Sequence, residues 1–267
     1  MSLAPSIKSR VHAILRGVGK PDEQLNNALR LLSKWRSVLI QNTLLQREGT
    51  IVRQGPLKGL DFIRESAEGC HVAKLLGTYE QPLQPYIESA IDAGYSAVIN
   101  IGCAEGYYAV GLARRMPEAV SYAYDIDENA QRSCAQLAEK NGVRDRVVVR
   151  GQLNPDEFAS YSDGKVLVFC DIEGAEESLL DPAVSPSLAK MDIIVEAHEC
   201  LVKGVTDRLI ERFSRTHRIH KVEDLGTRMI EAPPEWFTKL SHLDQLLATW
   251  EWRSGPTPWL VMTVKEL

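Results

Sequence analysis

Residues 98–111, V-I-N-I-G-C-A-E-G-Y-Y-A-V-G, join an apolar strand to a glycine-containing turn and then to a helix. In an open α/β sheet, such a turn lies just beyond the carboxyl end of its strand, where backbone N–H groups and the helix start can approach a ligand. A dinucleotide-binding loop would read G-x-G-x-x-G, but Ala104 and Tyr107 stand where its second and third glycines belong. The stretch therefore predicts a ligand site into which a nicotinamide dinucleotide fits poorly.

Strands and helices alternate on either side of this turn. The predicted strands cover residues 97–101, 120–125, 146–150, 166–171, 192–197, 217–222 and 259–264. The predicted helices cover residues 86–93, 107–116, 128–140, 175–180, 206–215, with Thr206 as N-cap, and 235–250. Residues 166–169 are all apolar, which is typical of a strand buried on both faces of a parallel sheet. The sequence predicts an α/β fold with a mainly parallel, doubly wound, seven-stranded sheet.

The first 80 residues differ from this pattern. Residues 22–47 carry apolar side chains every third or fourth position, which predicts an amphipathic helix that packs on something else. Residues 50–62 read as a short β-hairpin or an extended clip. We therefore expect an N-terminal helical and hairpin extension over residues 1–80, acting as a lid or as the arm of a homodimer, and an α/β domain with the ligand site over residues 81–267.

Composition and charge limit the function classes. The five cysteines are widely spaced and form no C-x-x-C pair, so neither a disulfide framework nor a zinc cluster is indicated. No apolar run is long enough to cross a membrane and the first ten residues do not read as a signal peptide, which predicts a cytoplasmic protein with no membrane partner. Residues 1–60 contain ten Lys or Arg and three acids, whereas the whole chain carries −5. This basic region is either a solvated helical face or a contact for an anionic partner, so nucleic acid is disfavoured but left open.

Acidic residues follow the second strand. Asp125 stands about twenty residues after the glycine turn, the distance at which a carboxylate accepts hydrogen bonds from the hydroxyls of a ribose. Asp127 lies immediately before the predicted helix over residues 128–140, so it is either its N-cap or a second ligand contact.

A second polar group follows the fourth and fifth strands. Asp171 and Glu173 share one side of the first strand end, and Glu196 and His198 share one side of the second. Neighbouring parallel strands bring these ends together, so we expect the four side chains to cluster. Three interpretations stay open: His198 is a general base, the group binds Mg²⁺, Mn²⁺ or Fe²⁺, or the acids cap the helices that follow.

With these residues placed, the chain resembles the class I S-adenosylmethionine (SAM)-dependent methyltransferases. Residues 100–106 match the family's first motif, with Asn100 in place of the usual acid and Ala104 in place of the middle glycine. The run Asp-Ile-Glu-Gly-Ala-Glu over residues 171–176, followed by Leu-Leu-Asp-Pro over residues 179–182, resembles the FkbM-like branch, as does the L-G-T-Y-E lead-in over residues 76–80. The resemblance covers residues 75–264.

The resemblance implies a Rossmann-like methyltransferase fold and a site for SAM. The cofactor-binding residues it suggests are Asn100, Gly102, Cys103, Ala104, Glu105, Gly106, Asp125, Gln152 and Asp171, of which Gln152 would face the adenine. It also implies methyl transfer to a hydroxyl of a small molecule or glycan, with His198, Asp171 and Glu196 as the catalytic candidates. The alternatives are an RNA or protein methyltransferase that uses the basic N-terminal region, or a donor-binding module without catalysis.

Overall fold

The computed structural model describes residues 4–64, 69–161 and 163–265. Its sheet contains β1 (Ala97–Ile101), β2 (Val120–Tyr124), β3 (Val147–Arg150), β4 (Val166–Cys170), β5 (Asp192–Glu196), β6 (His217–Val222) and β7 (Trp259–Val264). The strand order is β3-β2-β1-β4-β5-β7-β6. The first five strands are parallel, and β7 runs antiparallel between β5 and β6. The predicted fold class is confirmed, and the order reverses between β1 and β4, where open α/β sheets bind ligands.

Helices cover both faces of this sheet. They are α1 (Ala4–Arg16), α2 (Pro21–Glu48), α3 (His71–Leu76), α4 (Gln84–Asp92), α5 (Tyr107–Arg115), α6 (Glu128–Lys140), α7 (Glu176–Leu179), α8 (Val205–Phe213), α9 (Glu235–Thr238) and α10 (His242–Thr249). Short 3₁₀ turns lie at Gln81–Leu83, Pro155–Tyr161 and Pro186–Lys190. None of the described helices combines the length and the apolar character that crossing a membrane requires.

The predicted single helix over residues 235–250 is wrong. The structure has two helices there, α9 and α10, and Ser241 between them is the N-cap of the second. The Ser241 hydroxyl oxygen accepts a hydrogen bond from the Asp244 N–H over 3.2 Å. A serine followed three residues later by an acid is a helix-start signal, which the apolar periodicity had masked.

The prediction of Thr206 as the N-cap of the eighth helix is also wrong. Helix α8 begins at Val205, and its N-cap is Gly204, which has a φ of 79°. The capping oxygens come from Glu199, whose carboxylate accepts hydrogen bonds from the Gly204 N–H and from the N–H and hydroxyl of Thr206. A carboxylate upstream therefore satisfies the first turn of the helix.

The accessory region is helical as predicted, but α2 turns only part of its apolar surface inward. Ala28, Ile40 and Leu44 are buried, whereas Leu25 and Leu29 are about 60% exposed. Residues 50–62 form an extended clip rather than a regular hairpin, closed by the antiparallel bridge between Ile51 and Asp61. One hydrophobic core joins side chains of α2 and this clip to α5 and to one face of the sheet. The domain boundary at residue 80 stays a prediction.

Candidate functional site

Two cavities adjoin at the carboxyl ends of β1 and β4. The Asp125 cavity has a volume of about 380 Å³ and is lined in part by Gly102 and Ile172. The His198 cavity has a volume of about 340 Å³ and is lined in part by Asp171 and Glu173. Asp171 and Ile172, the first two residues after β4, thus face opposite cavities, as strand alternation requires. Glu173 returns to the His198 cavity in a turn, with a φ of 54°. Both volumes lie in the range of small-molecule sites.

The border between the two cavities is the contact of Gly102, which lines the Asp125 cavity, with Asp171, which lines the His198 cavity. The φ of Gly102 is 77°, and a Cβ atom there would lie 1.7 Å from the Asp171 carbonyl oxygen. Only glycine permits this approach of β1 to β4. Ala104 also lies in the left-handed region, with a φ of 46°, where the methyltransferase motif that residues 100–106 resemble has a glycine. The backbone at this turn is therefore fixed by close contact rather than by flexibility.

The turn is held together by its own hydrogen bonds. The N–H groups of Gly102 and Cys103 both donate to the Tyr124 carbonyl over 2.9 Å, and that of Gly106 donates to the Cys103 carbonyl. The Ala104 N–H donates to Asp125 Oδ2 over 2.8 Å. These four amides are thus engaged within the protein, and the turn shapes the cavity instead of offering them to a ligand.

Asp125 lies at the wall of its cavity as the sequence suggested. Its Oδ2 accepts from Ala104 and its Oδ1 accepts from the Asp127 N–H over 2.8 Å. An ionised carboxylate has about four lone-pair sites, so two remain for ligand hydroxyls. Gln152 lines the same cavity. Asp127 caps α6 through a 2.8 Å hydrogen bond from the Asn129 N–H, which confirms the N-cap interpretation.

The other residues of the turn lie away from the Asp125 cavity lining. Asn100 is buried in β1, where its Nδ2 donates to the Phe169 carbonyl of β4 over 3.3 Å. Gly106 packs α5 against α6, because a Cβ atom there would lie 2.8 Å from Cys134 Sγ. Cys103 is buried in the same core as Cys134. Asn100, Cys103 and Gly106 therefore hold the turn in place by contacts inside the protein, away from the Asp125 cavity.

Glu105 points toward Lys74 of α3. Its carboxylate lies 3.1 Å from the Lys74 ammonium, and both side chains are only 3% exposed. The Lys74 ammonium also lies 5.0 Å from the ring centre of Tyr79, and both residues line the His198 cavity. The turn is thus tied electrostatically to the accessory region.

The four predicted cluster residues do come together. His198 Nε2 lies 3.4 Å from Glu173 Oε2, 3.6 Å from Asp171 Oδ1 and 3.7 Å from Glu196 Oε2. Glu173 is 80% exposed, whereas the His198 side chain is 5% exposed. Among the residues that the structure describes, Asp171, Glu196 and His198 offer one ligand atom each within 4.8 Å of one another, and Glu173 is outside this group.

Glu176 orients His198, a contact that the sequence did not reveal. Glu176 Oε1 lies 2.6 Å from His198 Nδ1 and accepts a second hydrogen bond from the Gly174 N–H. Burial alone would raise the pKa of Glu176, but these hydrogen bonds outweigh it and hold the pKa below its usual value. Because an ionised carboxylate can only accept, His198 Nδ1 carries a proton and Nε2 faces the carboxylates.

The same acids act on His198. Burial lowers the pKa of the His198 imidazole, but the hydrogen bond to Glu176 and the charges of Glu196 and Glu173 outweigh burial and raise it above its usual value. The imidazole is therefore held in a site that favours positive charge.

Arg253 closes the back of the His198 cavity. Its guanidinium pairs with Glu196. The same guanidinium lies 3.2 Å from Glu80 Oε1 and 3.3 Å from Glu251 Oε2. Arg228 also pairs with Glu251, and Arg253 also lies 3.4 Å from Asp224 Oδ2, so two guanidiniums face four carboxylates here. Burial and the charge of Glu196 accordingly raise the pKa of Glu80 to about 8 despite its contact with Arg253. The sequence did not indicate the contact between Glu80 and Arg253, because the two residues are 173 positions apart.

Helix α2 supplies the outer wall of the His198 cavity. The Lys34 ammonium lies 4.5 Å from the ring centre of Trp252, and Arg30 donates to the Trp252 carbonyl over 3.1 Å. Arg36 forms an ion pair with Asp244, with a shortest distance of 2.6 Å. Part of the basic charge of the accessory region is thus used to hold residues 244–253.

Comparisons with known proteins show a likeness in solved structures alone. No family model matches the chain, and no curated protein matches it. The O-methyltransferase TomG from Streptomyces achromogenes, in complex with SAM, superposes with a TM-score of 0.48 and 13% identity, over 85% of this chain and 96% of that one. An O-methyltransferase from Bacillus cereus, in complex with SAH, superposes with a TM-score of 0.43 and 14% sequence identity, over 85% of this chain and 97% of that one. A human methyltransferase 10 domain containing protein superposes with a TM-score of 0.48 and 12% sequence identity, over 86% of this chain and 95% of that one. At these values the likeness carries no inference about activity.

Proposed function

We propose that this chain is a SAM-dependent methyltransferase that methylates a hydroxyl oxygen of a small molecule or sugar. The observation that carries the proposal is the pairing of two cavities across the contact between Gly102 and Asp171. One cavity presents the carboxylate of Asp125 at the end of β2, and the other presents a buried, oriented His198. A group donor and an acceptor would thus meet at one strand end.

The Asp125 cavity suits the nucleoside part of the donor. Asp125 has lone pairs left for the two ribose hydroxyls, and the Gln152 amide can bind the edge of an adenine. Leu153, Leu179 and Ile172 supply apolar walls for the base. When bound, SAM supplies an electrophilic methyl group on its sulfonium, so the protein needs mainly to position the acceptor oxygen in line with it.

The His198 cavity suits a polar acceptor. Asp171, Glu196 and His198 can bind and orient its hydroxyl. They would also assist the loss of the hydroxyl proton, either because one of them accepts it or because they hold a cation that acidifies the hydroxyl. Arg253 keeps Glu196 in place for either role.

The RNA or protein methyltransferase is the weaker alternative. Arg30, Lys34 and Arg36 of α2 contact the C-terminal part of the same chain, which reduces the charge available for an anionic partner. Lys8, Arg10 and Arg16 of α1 are exposed and are what keeps this alternative open. The homodimer through the N-terminal helices and the cytoplasmic location stay predictions.

Calorimetric titration with S-adenosylhomocysteine, the demethylated donor, tests the proposal. We expect wild-type binding and at least a hundredfold loss of affinity in Asp125→Ala, because the ribose hydroxyls lose their acceptor. Asp127→Ala is the matched control, since it removes a carboxylate two residues away that only caps α6. It should cost about 1 kcal/mol of folding stability and change affinity by less than threefold.

The same titration and a transfer assay decide between the donor site and its absence, and between the classes of acceptor. No binding by the wild type, or equal loss in both variants, would contradict the donor site. With binding established, methyl transfer from labelled SAM to a panel of sugars and small hydroxyl compounds, compared with transfer to RNA and to protein, separates the acceptor classes. Salt-sensitive binding of RNA would favour the alternative.

A further inference from the structure

We propose that Asp171, Glu196 and His198 bind one divalent cation, of the Mg²⁺ or Mn²⁺ type, at the inner end of the His198 cavity. The inference deepens the proposed function only in placing this cation beside the acceptor. The binding site itself is argued from the contacts below and does not depend on the identity of the donor.

The separations within the group suit a coordination shell. Ligand atoms about 2.1–2.2 Å from an ion, at right angles or a little wider, lie about 3.0–3.6 Å apart, and opposite ligands lie about 4.2–4.4 Å apart. His198 Nε2 lies 3.6 Å from Asp171 Oδ1 and 3.7 Å from Glu196 Oε2, and the three ligand atoms are all within 4.8 Å of one another. A contraction of a few tenths of an ångström would close the shell.

The state of His198 is an independent observation. Its side chain is 95% buried, with 5% exposed, and its Nδ1 is fixed by Glu176. Its Nε2 forms no hydrogen bond to the described residues, although it lies among three carboxylates. A histidine that ligates a metal almost always donates its other N–H to a carboxylate or carbonyl, which fixes the tautomer and the ring orientation. Glu176 is placed to do this.

The local charge also favours a cation. Four carboxylates, those of Asp171, Glu173, Glu176 and Glu196, surround one imidazole. Arg253 pairs with Glu196 and is shared with Glu80, Glu251 and Asp224. A divalent ion between Asp171 and Glu196 would offset the repulsion within this partly buried group.

The donor set indicates which ions fit. Two carboxylates and one imidazole are hard and borderline ligands, and no thiolate belongs to the group. Such a set suits Mn²⁺ and Mg²⁺, with water or an acceptor oxygen completing the shell. A hydroxyl bound to the ion would have a lowered pKa, which would assist methyl transfer to its oxygen.

Electron paramagnetic resonance with Mn²⁺ as the probe tests the site on the full chain after chelator treatment. The signal of free Mn²⁺ reports the bound fraction, and we expect one ion per chain. His198→Ala and Asp171→Asn should each weaken binding at least tenfold. Glu128→Gln is the matched control, because it removes an exposed carboxylate of α6 and should leave the affinity within twofold.

Glu176→Gln tests the orientation of His198. A positioning carboxylate that supports a metal-ligating histidine typically contributes 10- to 100-fold in metal affinity, so we expect a loss in that range. A wild type that binds no Mn²⁺, or binding that is unchanged in His198→Ala and Asp171→Asn, would overturn the proposal.

Titration of the same samples with S-adenosylhomocysteine separates this proposal from the proposed function. Retained donor binding in His198→Ala shows that the variant is folded, so its loss of Mn²⁺ affinity is attributable to the site. Donor binding without Mn²⁺ binding would remove the cation and leave the methyltransferase. Mn²⁺ binding without donor binding would leave the cation site and remove the methyltransferase.

Discussion

The Asp125 cavity and the His198 cavity lie on either side of the same two strand ends, but different kinds of side chain line them. Of the described residues that line the first, Asp125 alone has a charged side chain, and the walls are otherwise backbone, apolar and small polar groups. Among the residues that the structure describes, the second is lined by four carboxylates, one histidine and three cations. They come from α2, the segment around α3, the ends of β4 and β5, and residues 251–257.

This difference shows which chemistry each cavity can support. A cavity with few charges binds a ligand by shape and by a small number of hydrogen bonds, as a nucleoside requires. A cavity with many buried charges must have them paired, and any group that stays unpaired is available for chemistry. Substitutions at the border between the cavities and among the charges of the His198 cavity separate these two roles.

Gly102→Ala should have the largest effect, because Gly102 belongs to the border. Its added Cβ would lie 1.7 Å from the Asp171 carbonyl oxygen, so β1 and β4 would have to separate. We expect a loss of about 5 kcal/mol in the free energy of unfolding, or no folded protein, by thermal or urea denaturation.

Gly142→Ala is the control for backbone conformation. Gly142 has a φ of 68°, similar to that of Gly102, but no atom lies within 4 Å of an added Cβ. It should cost only about 1–2 kcal/mol. Equal costs at both positions would mean that conformation, and not the contact between β1 and β4, requires glycine at the border.

Lys74→Met should be the next largest change, and it affects the His198 cavity. It leaves the Glu105 carboxylate buried without this cation, and breaking a buried ion pair costs about 3–5 kcal/mol. The double variant Lys74→Met with Glu105→Gln removes both charges and should recover most of this loss in urea denaturation. No recovery in the double variant would contradict the importance of this pair.

Glu80→Gln should have the smallest effect, visible in how stability depends on pH. The pKa of Glu80 is raised from 4.5 to about 8 by burial and by Glu196, so the folded protein holds this proton more tightly than the unfolded chain. Glu80 therefore lowers the stability progressively as the pH rises from 4.5 to about 8.

A glutamine cannot ionise, so Glu80→Gln should lose less stability than the wild type between pH 5.5 and pH 8.5. Thermal unfolding at the two pH values measures the difference. Parallel loss in the two proteins would show that Arg253 neutralises Glu80 fully.

The sequence predicted the Asp125 side of the molecule well, because the signals there are local. The apolar strand before Gly102 and the N-cap at Asp127 are read from neighbouring residues, and the structure confirms both. The predicted N-cap Thr206 failed because the capping carboxylate of Glu199 lies outside the helix. Local signals also predicted seven strands, but only the structure shows the order of these strands in the sheet.

The His198 side could be predicted only in part. Strand alternation placed Asp171 and Glu173 on one side, but it gave no sign that Glu176 would turn back to His198, which is 22 residues away. The pairing of Glu196 with Arg253 depends on the path of the chain after α10. Ion pairs between distant segments leave no periodic pattern in a sequence, so the partners that hold His198 and Glu196, namely Glu176 and Arg253, were not predicted.

A crystal structure with bound S-adenosylhomocysteine would show whether the two cavities serve one reaction. We expect the ribose at Asp125, the adenine near Gln152 and the sulfur at the border of Gly102 and Asp171, facing His198. Nucleoside density in the His198 cavity, or a sulfur that points away from this cavity, would mean that the two cavities do not serve one reaction.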